Sequence, residues 1–197
     1  MTAPLARSLR RLARDRRGVA VTEFGILAPV FVVLLLGLMD LSYQAYTRAV
    51  LEGAIQKAGR DSGIEGAQSS TIDAKVTAAV KQVAKNAVLT FDRKSYSTFS
   101  DMKPERFTDT NGNGKRDAKE CYDDINGNQQ WDADPGKTGQ GGANDVTLYT
   151  VTATYTRLFP LGKLLGWSDK ETVSAKTLLK NQPYASQAIP TVVTRCN

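Results

Sequence analysis

From Val19 to Met39 the chain runs for 21 residues with only Thr22 and Glu23 as clearly polar side chains. As an α-helix such a run covers about 31 Å, close to the thickness of a bilayer's hydrocarbon core. An apolar helix of this length must be covered by protein or by lipid, and the flanks point to lipid. Arg7, Arg10, Arg11, Arg14, Arg16 and Arg17 precede it, against the single acid Asp15. Basic residues on one side of a span hold that side in the cytoplasm and send the rest of the chain across. Asp40 marks the return to water, with Tyr43 and Tyr46 at interfacial depth. A secretory signal peptide would have a core of about 7–15 residues and a small-x-small cleavage site. The segment after Met39 offers no such site, and a soluble core helix has no use for the arginine flank.

The leader also explains the charge. The formal total is +6, of which the leader supplies +5 (six arginines less Asp15). Only +1 remains for everything after Gly18, with no clustered basic face of the kind nucleic acid requires. No nucleic-acid partner is expected.

Glu23 needs an explanation, because a carboxylate near the centre of a span costs about 2.5–3.5 kcal/mol on insertion scales and somewhat less near an interface. Two accounts are open. The side chain can reach the cytoplasmic surface and pair with Arg16 or Arg17. Alternatively, a cut after Gly18 would turn Val19 into an N-terminal ammonium one helical turn from Glu23. The carboxylate would then pair with its own terminus or with a neighbouring subunit's. Pro29 removes the helical hydrogen bond to the Gly25 carbonyl, so a bend is expected there.

The run Arg16-Arg17-Gly18-Val19-Ala20-Val21-Thr22-Glu23-Phe24-Gly25-Ile26-Leu27-Ala28-Pro29 resembles the N-terminus of type IV pilin-like precursors. More narrowly, it resembles the TadE-like minor pilins, or pseudopilins, of tight-adherence pilus assembly. The small residues Ala45, Ala49, Gly53, Ala54 and Ala58 extend the likeness past the membrane. The resemblance implies cutting after Gly18 by a prepilin-type peptidase, with Val19 as the new terminus. Glu23 and Phe24 then take the fifth and sixth mature positions, where they serve assembly. Implied partners are that peptidase, other pilin-like subunits, the inner-membrane assembly platform and the lipid bilayer. The implied location is the bacterial inner membrane, single-pass, with a cytoplasmic N-terminus and a periplasmic C-terminal domain. Departing from the family phrase, Gly25 stands where alanine is usual.

The organisation expected is a basic leader at 1–18, a transmembrane helix at 19–40 and a periplasmic α+β domain at 41–197. One long helix should run from about Val19 to Arg60, ended by the glycine-rich segment Gly59–Gly66. A second helix should start near Ser70 with Asp73 closing a capping box. Its stripe Ile72, Val76, Ala79, Val80, Val83 and Ala87 should pack on a sheet. Val146–Phe159 and Thr172–Leu179 read as strands of an antiparallel sheet, with a hydrophobic-tipped loop at 160–167 between them. The fold class is therefore α+β, a long N-terminal helix followed by a small domain with one further helix and an antiparallel sheet.

Residues 107–145 form an insert rich in Asp, Asn and Gly. Asp109, Asn111, Asn113, Asp117 and Glu120 occupy positions 1, 3, 5, 9 and 12 of a calcium-loop template, with Gly114 at the turn. A second run repeats Asp124, Asn126, Asn128 and Asp132, with Gln129 at the turn and Pro135 in place of the final acid, Asp134 lying nearby. Too few residues separate the loops for an EF-hand's exit helix, so a compact Ca²⁺-stabilised loop is expected in preference to a sensor. The competing account is that Asn-Gly sequences simply make turns.

Cys121 and Cys196 are the only thiols, and an oxidising periplasm favours a bridge between them, with two free cysteines as the alternative. The chain has no histidine, which excludes Ser-His and Cys-His pairs and His-ligated zinc, so no enzyme is expected. Two functions compete. One is a structural pilin-like subunit. The other is an uncleaved, single-pass protein whose calcium-stabilised domain binds a partner or extracellular matter.

Overall fold

The computed structural model describes residues 18–62, 68–159, 166, 168–182 and 191–196. The arginine leader and most of the 160–167 tip lie outside the described residues. Helix α1 spans Val19–Ser62, 44 residues or about 66 Å, and is continuous through Pro29. Helix α2 spans Ser69–Val83. The strands are β1 (Val88–Tyr96), β2 (Cys121–Asp124), β3 (Lys137–Thr138), β4 (Val146–Thr156), β5 (Lys170–Lys180) and β6 (Val193–Cys196). The architecture is α+β with antiparallel sheets, as the sequence leads one to expect.

The chain divides into two compact units. One holds α1 as far as Tyr43 together with Arg157–Asp169; the other holds Gln44–Thr156 and the chain from Lys170 onward. In the first unit the apolar side chains of α1 are bare, Ile26 at 75% and Phe24 at 70% exposure among them. The helix is long and apolar enough to cross a membrane, and none of its most apolar window is buried in protein. A soluble core helix would be covered, so this exposure is consistent with a single-pass membrane protein.

In the second unit the burial pattern changes period. Along α1, Thr47, Leu51, Ile55 and Ala58 are buried at helical spacing, joined by Ile72, Val76 and Val80 of α2. Along β4 the pattern is two-fold, with Tyr149, Val151, Ala153 and Tyr155 buried. These faces make the core. The main sheet has the order β3-β1-β4-β5, with Val88 opposite Thr154 and Tyr96 opposite Val146, and Val146 opposite Lys180. β2 and β6 form a separate two-stranded ribbon.

Helix α1 ends at Ser62, within the glycine-rich segment expected to end it. Gly59 lies inside the helix, where an added Cβ would sit 3.4 Å from Leu179 Cδ2, so its role is close approach to β5. Two expectations are corrected. Helix α2 has Gln68 as its N-cap with no side-chain cap bond, so Asp73 closes no capping box. It turns inward, accepting from Tyr149 Oη at 2.5 Å and from both terminal nitrogens of Arg93, whose guanidinium stacks 4.4 Å over the Tyr149 ring. A buried ionic network outcompetes the local cap because it satisfies a tyrosine and an arginine together. Ala87 is buried but falls after the helix, in the turn leading to β1. β1 itself, with Thr, Phe and Tyr scattered among charges, was not anticipated as a strand.

Candidate functional sites

The first site is the start of α1. Gly18 adjoins the first helical residue, Val19, whose carbonyl accepts the Thr22 hydroxyl at 2.8 Å. Glu23 follows one turn later and is exposed, and Phe24 beside it is 70% exposed. Among the described residues, Glu23 has no ion-pair partner. Arg16 and Arg17, its candidate cytoplasmic partners, lie outside the described residues. Further along, Ala45, Ala49 and Gly53 are exposed at four-residue spacing. They stand on the side of α1 opposite Thr47, Leu51 and Ile55, which face the core.

The second site is the insert, where the two Asp/Asn loops have one backbone geometry. In the first, Asp109 Oδ1 accepts from the N–H of Gly112 (2.7 Å) and Asn113 (3.2 Å), and Oδ2 from Gly114 (2.7 Å). In the second, Asp124 Oδ1 accepts from Gly127 (2.7 Å) and Asn128 (3.1 Å), and Oδ2 from Gln129 (3.1 Å). Asn111 and Asn113 direct their amides to Asp117 Oδ2 at 2.6 and 2.7 Å. Asn126 and Asn128 do the same to Asp132 Oδ2, both at 2.7 Å. Backbone angles follow suit: Gly112 and Gly127 have φ of 74° and 77°, Gly114 and Gln129 of 72° and 67°. Gln129 therefore holds a left-handed conformation that a side chain disfavours, and the second loop carries that strain.

The final acid of each loop comes from the other's repeat. Glu120 accepts the N–H and hydroxyl of Thr110 at 2.8 Å each and the N–H of Asp117 at 2.9 Å. At the second loop the equivalent bonds, from Ile125 N–H (2.8 Å) and Asp132 N–H (2.9 Å), go to Glu105. Pro135 is therefore no loss. Asp134 does not stand in; it accepts from Lys94, from Tyr96 Oη and from the N–H of Gly136. The insert is a repeat of period 15 (124 − 109), Glu105–Lys119 followed by Glu120–Asp134. Its halves meet at an antiparallel bridge between the equivalent residues Phe107 and Tyr122. Thr108 N–H donates to Cys121 O at 2.8 Å and Asp123 N–H to Arg106 O at 2.9 Å, bonds that exchange under a local two-fold. Arg116 stacks on Tyr122 as Trp131 meets Phe107 edge-on. The signal for Glu105 was in the sequence, because Glu105-x3-Asp109 recurs as Glu120-x3-Asp124. It was missed because the loop template looks only downstream.

The loops differ in what surrounds them. Asp109, Asn111, Asn113 and Asp117 are exposed, whereas Asp124 is fully buried. Arg195 of β6 lies 2.6 Å from Asp124 Oδ2, and Thr194 Oγ1 donates to Asp123 at 2.9 Å. A Cys121–Cys196 disulfide locks β6 to β2, so the bridged alternative holds. Burial pushes the Asp124 carboxyl up, but the Arg195 guanidinium and the Gln129 and Gly127 N–H groups outweigh it and hold it below its ordinary value. The N–H groups of Asp117 and Thr110 likewise hold Glu120 low. Lys94 lowers Asp134, and Tyr96 is pushed up to about 12, by burial first and then by its bond to Asp134. Among the described residues, no three Asp, Glu, Cys or His side chains converge on a point where they alone could hold a metal. Each loop instead gathers two aspartates and two asparagine amides, the hard, mixed oxygen set that suits Ca²⁺.

A long, bare apolar helix leading into a small disulfide-bonded α+β head defines a membrane-anchored subunit class. The family model of TadE-like proteins matches residues 18–60, from Gly18 to near the end of α1, under a quarter of the chain. Over that stretch the chain is similar to TadE-like proteins. No curated protein and no solved structure gives a significant match.

Proposed function

We propose that the chain is a minor pilin-like structural subunit of a tight-adherence pilus or secretion apparatus. A prepilin-type peptidase cuts it after Gly18, and the mature α1 packs with the helices of other pilin-like subunits on the inner-membrane platform. The TadE-like match across residues 18–60 carries this reading. A carboxylate in lipid calls for a cation, and a cut after Gly18 supplies one a turn away at Val19. In the assembly, Glu23 neutralises the Val19 ammonium of its own chain or of a neighbour and so sets register. The exposed Ala45, Ala49 and Gly53 let another helix approach closely.

The periplasmic head is stiffened by Ca²⁺ at the first loop, through Asp109, Asn111, Asn113 and Asp117, with Glu120 closing the loop. At the second loop, Asp124, Asn126, Asn128 and Asp132 have the same donors, but Arg195 already supplies a cation there and calcium binds more weakly. The test of the assembly role is Glu23→Ala in the native host. The variant should be cut normally yet be lost from high-mass complexes with its partner subunits. Normal incorporation of the variant would refute the role given to Glu23.

A further inference from the structure

We infer that the free edge of β5 is a docking site for an added strand, and that its occupant is an acidic, extended segment of a partner protein. The inference goes beyond the assembly of α1 and does not depend on how that helix is processed. The two edges of the main sheet differ. At the β1 edge, β3 pairs with Lys94 and Ser95, and the Gly139 N–H donates to the Arg93 carbonyl at 2.9 Å. At the other edge, β5 runs for 11 residues in unbroken register with β4, from Lys170 opposite Thr156 to Lys180 opposite Val146. Among the described residues, nothing bonds to the backbone of its far side from Thr172 to Lys180. Edge strands are ordinarily blunted by shortness, a proline, a bulge or a covering loop. β5 has no proline, no glycine and no break in its pairing.

A groove of about 430 Å³ runs beside that edge, between Arg48, Glu52 and Gln56 of α1 and Ser174, Ala175 and Lys176 of β5. A strand added to β5 would continue the sheet and send alternate side chains into this groove. Charge selects the occupant. Arg48 and Glu52 pair with each other at 2.9 Å, which leaves Lys176 as the uncompensated charge of the groove. Lys180 follows on the same face of β5, and among the described residues neither lysine has an acidic partner. A second copy of β5 fits poorly. Two-fold antiparallel pairing keeps each face of the sheet continuous, so it would set the face that holds Lys170, Lys176 and Lys180 against itself. That face carries three lysines and no acid, and like charges across a pair are destabilising. A strand with Asp or Glu at alternate positions meets the same lysines with opposite charge.

The test uses the full chain in its native host, with the photoreactive residue p-benzoylphenylalanine placed in turn at Thr172, Ser174 and Leu178, exposed residues of that face. After irradiation the chain is purified and the joined peptides are sequenced by tandem mass spectrometry. All three probes should capture one segment, rich in Asp or Glu, of one other protein. The captured residue should shift by two positions between the first two probes and by four between the last two, the step that an added strand imposes. In a Lys176→Glu, Lys180→Glu background, capture should fall several-fold while the thermal melt stays in place. Joining to a second copy, joining within the chain, or no joining at any probe would each overturn the inference. So would capture at positions out of step with the probes, or capture that the two charge reversals leave unchanged.

Discussion

The two loops of the insert are the same device in two settings. Asp109 and Asp124 bind their turns through equivalent N–H groups, and Glu120 and Glu105 close them through equivalent bonds. One loop stands open to water with glycine at its turn. The other is buried against Arg195 with a strained glutamine in the same place. On the proposed reading, one backbone geometry is held in the first loop by Ca²⁺ from solution and in the second chiefly by the guanidinium of Arg195, which the disulfide keeps beside Asp124.

The most disruptive way to break the comparison is to untie β6. Cys196→Ser opens a 75-residue link, which on the chain-entropy model costs roughly 4 kcal/mol. Urea unfolding of the detergent-solubilised chain, monitored by Trp131 fluorescence in a Trp167→Phe background, should show a loss of that order. Glu105→Ala comes next. It strands the half-buried N–H groups of Ile125 and Asp132, for about 3 kcal/mol. Glu120, though buried itself, holds donors on the exposed residues Thr110 and Asp117, so Glu120→Ala should cost clearly less. Equal costs would mean that the two closures are not as differently buried as described.

Arg195→Gln leaves the Asp124 carboxylate uncompensated and should destabilise by about 2 kcal/mol, the usual penalty of a broken buried pair being reduced by the arginine's partial exposure. Calorimetry sharpens the contrast. The tighter calcium binding should disappear in the double variant Asp109→Ala, Glu120→Ala and survive Asp124→Ala, while Arg195→Gln should tighten the second, weaker site. Heats unchanged by the first double variant would remove calcium from the account. The smallest effect is with pH. The carboxyls of Asp124, Glu120 and Asp134 sit below their ordinary values, so the unfolded chain takes up protons first. The stability they contribute is whole above about pH 5 and is lost as pH falls through about 4 toward their folded values. Thermal melts should be level from neutrality to mild acid and drop below that.

The long helix was legible because its signal is redundant: length, apolarity and an arginine flank all agree. The α2 stripe and the strands β4 and β5 were legible through period alone. Asp73 was misread because a local capping pattern says nothing about a tyrosine and an arginine 76 and 20 residues away. β1 was hidden because its outward positions carry Asp92 and Lys94, and β2 and β6 because strands of four residues have too short a period to recognise. The first loop's donors were all readable. Glu105 could be found only through the 15-residue repeat, Glu105-x3-Asp109 recurring as Glu120-x3-Asp124, and which loop it closes depends on a two-fold that the paired backbone reveals.

The central claim is that Glu23 is tolerated in the membrane because a positive terminus is made one turn away. Intact-mass measurement on protein extracted from the native host's membranes tests it most directly. The account predicts a mature chain beginning at Val19. A mass that still includes the arginine leader from Met1 would contradict it, leaving an uncleaved single-pass protein whose head does its work alone.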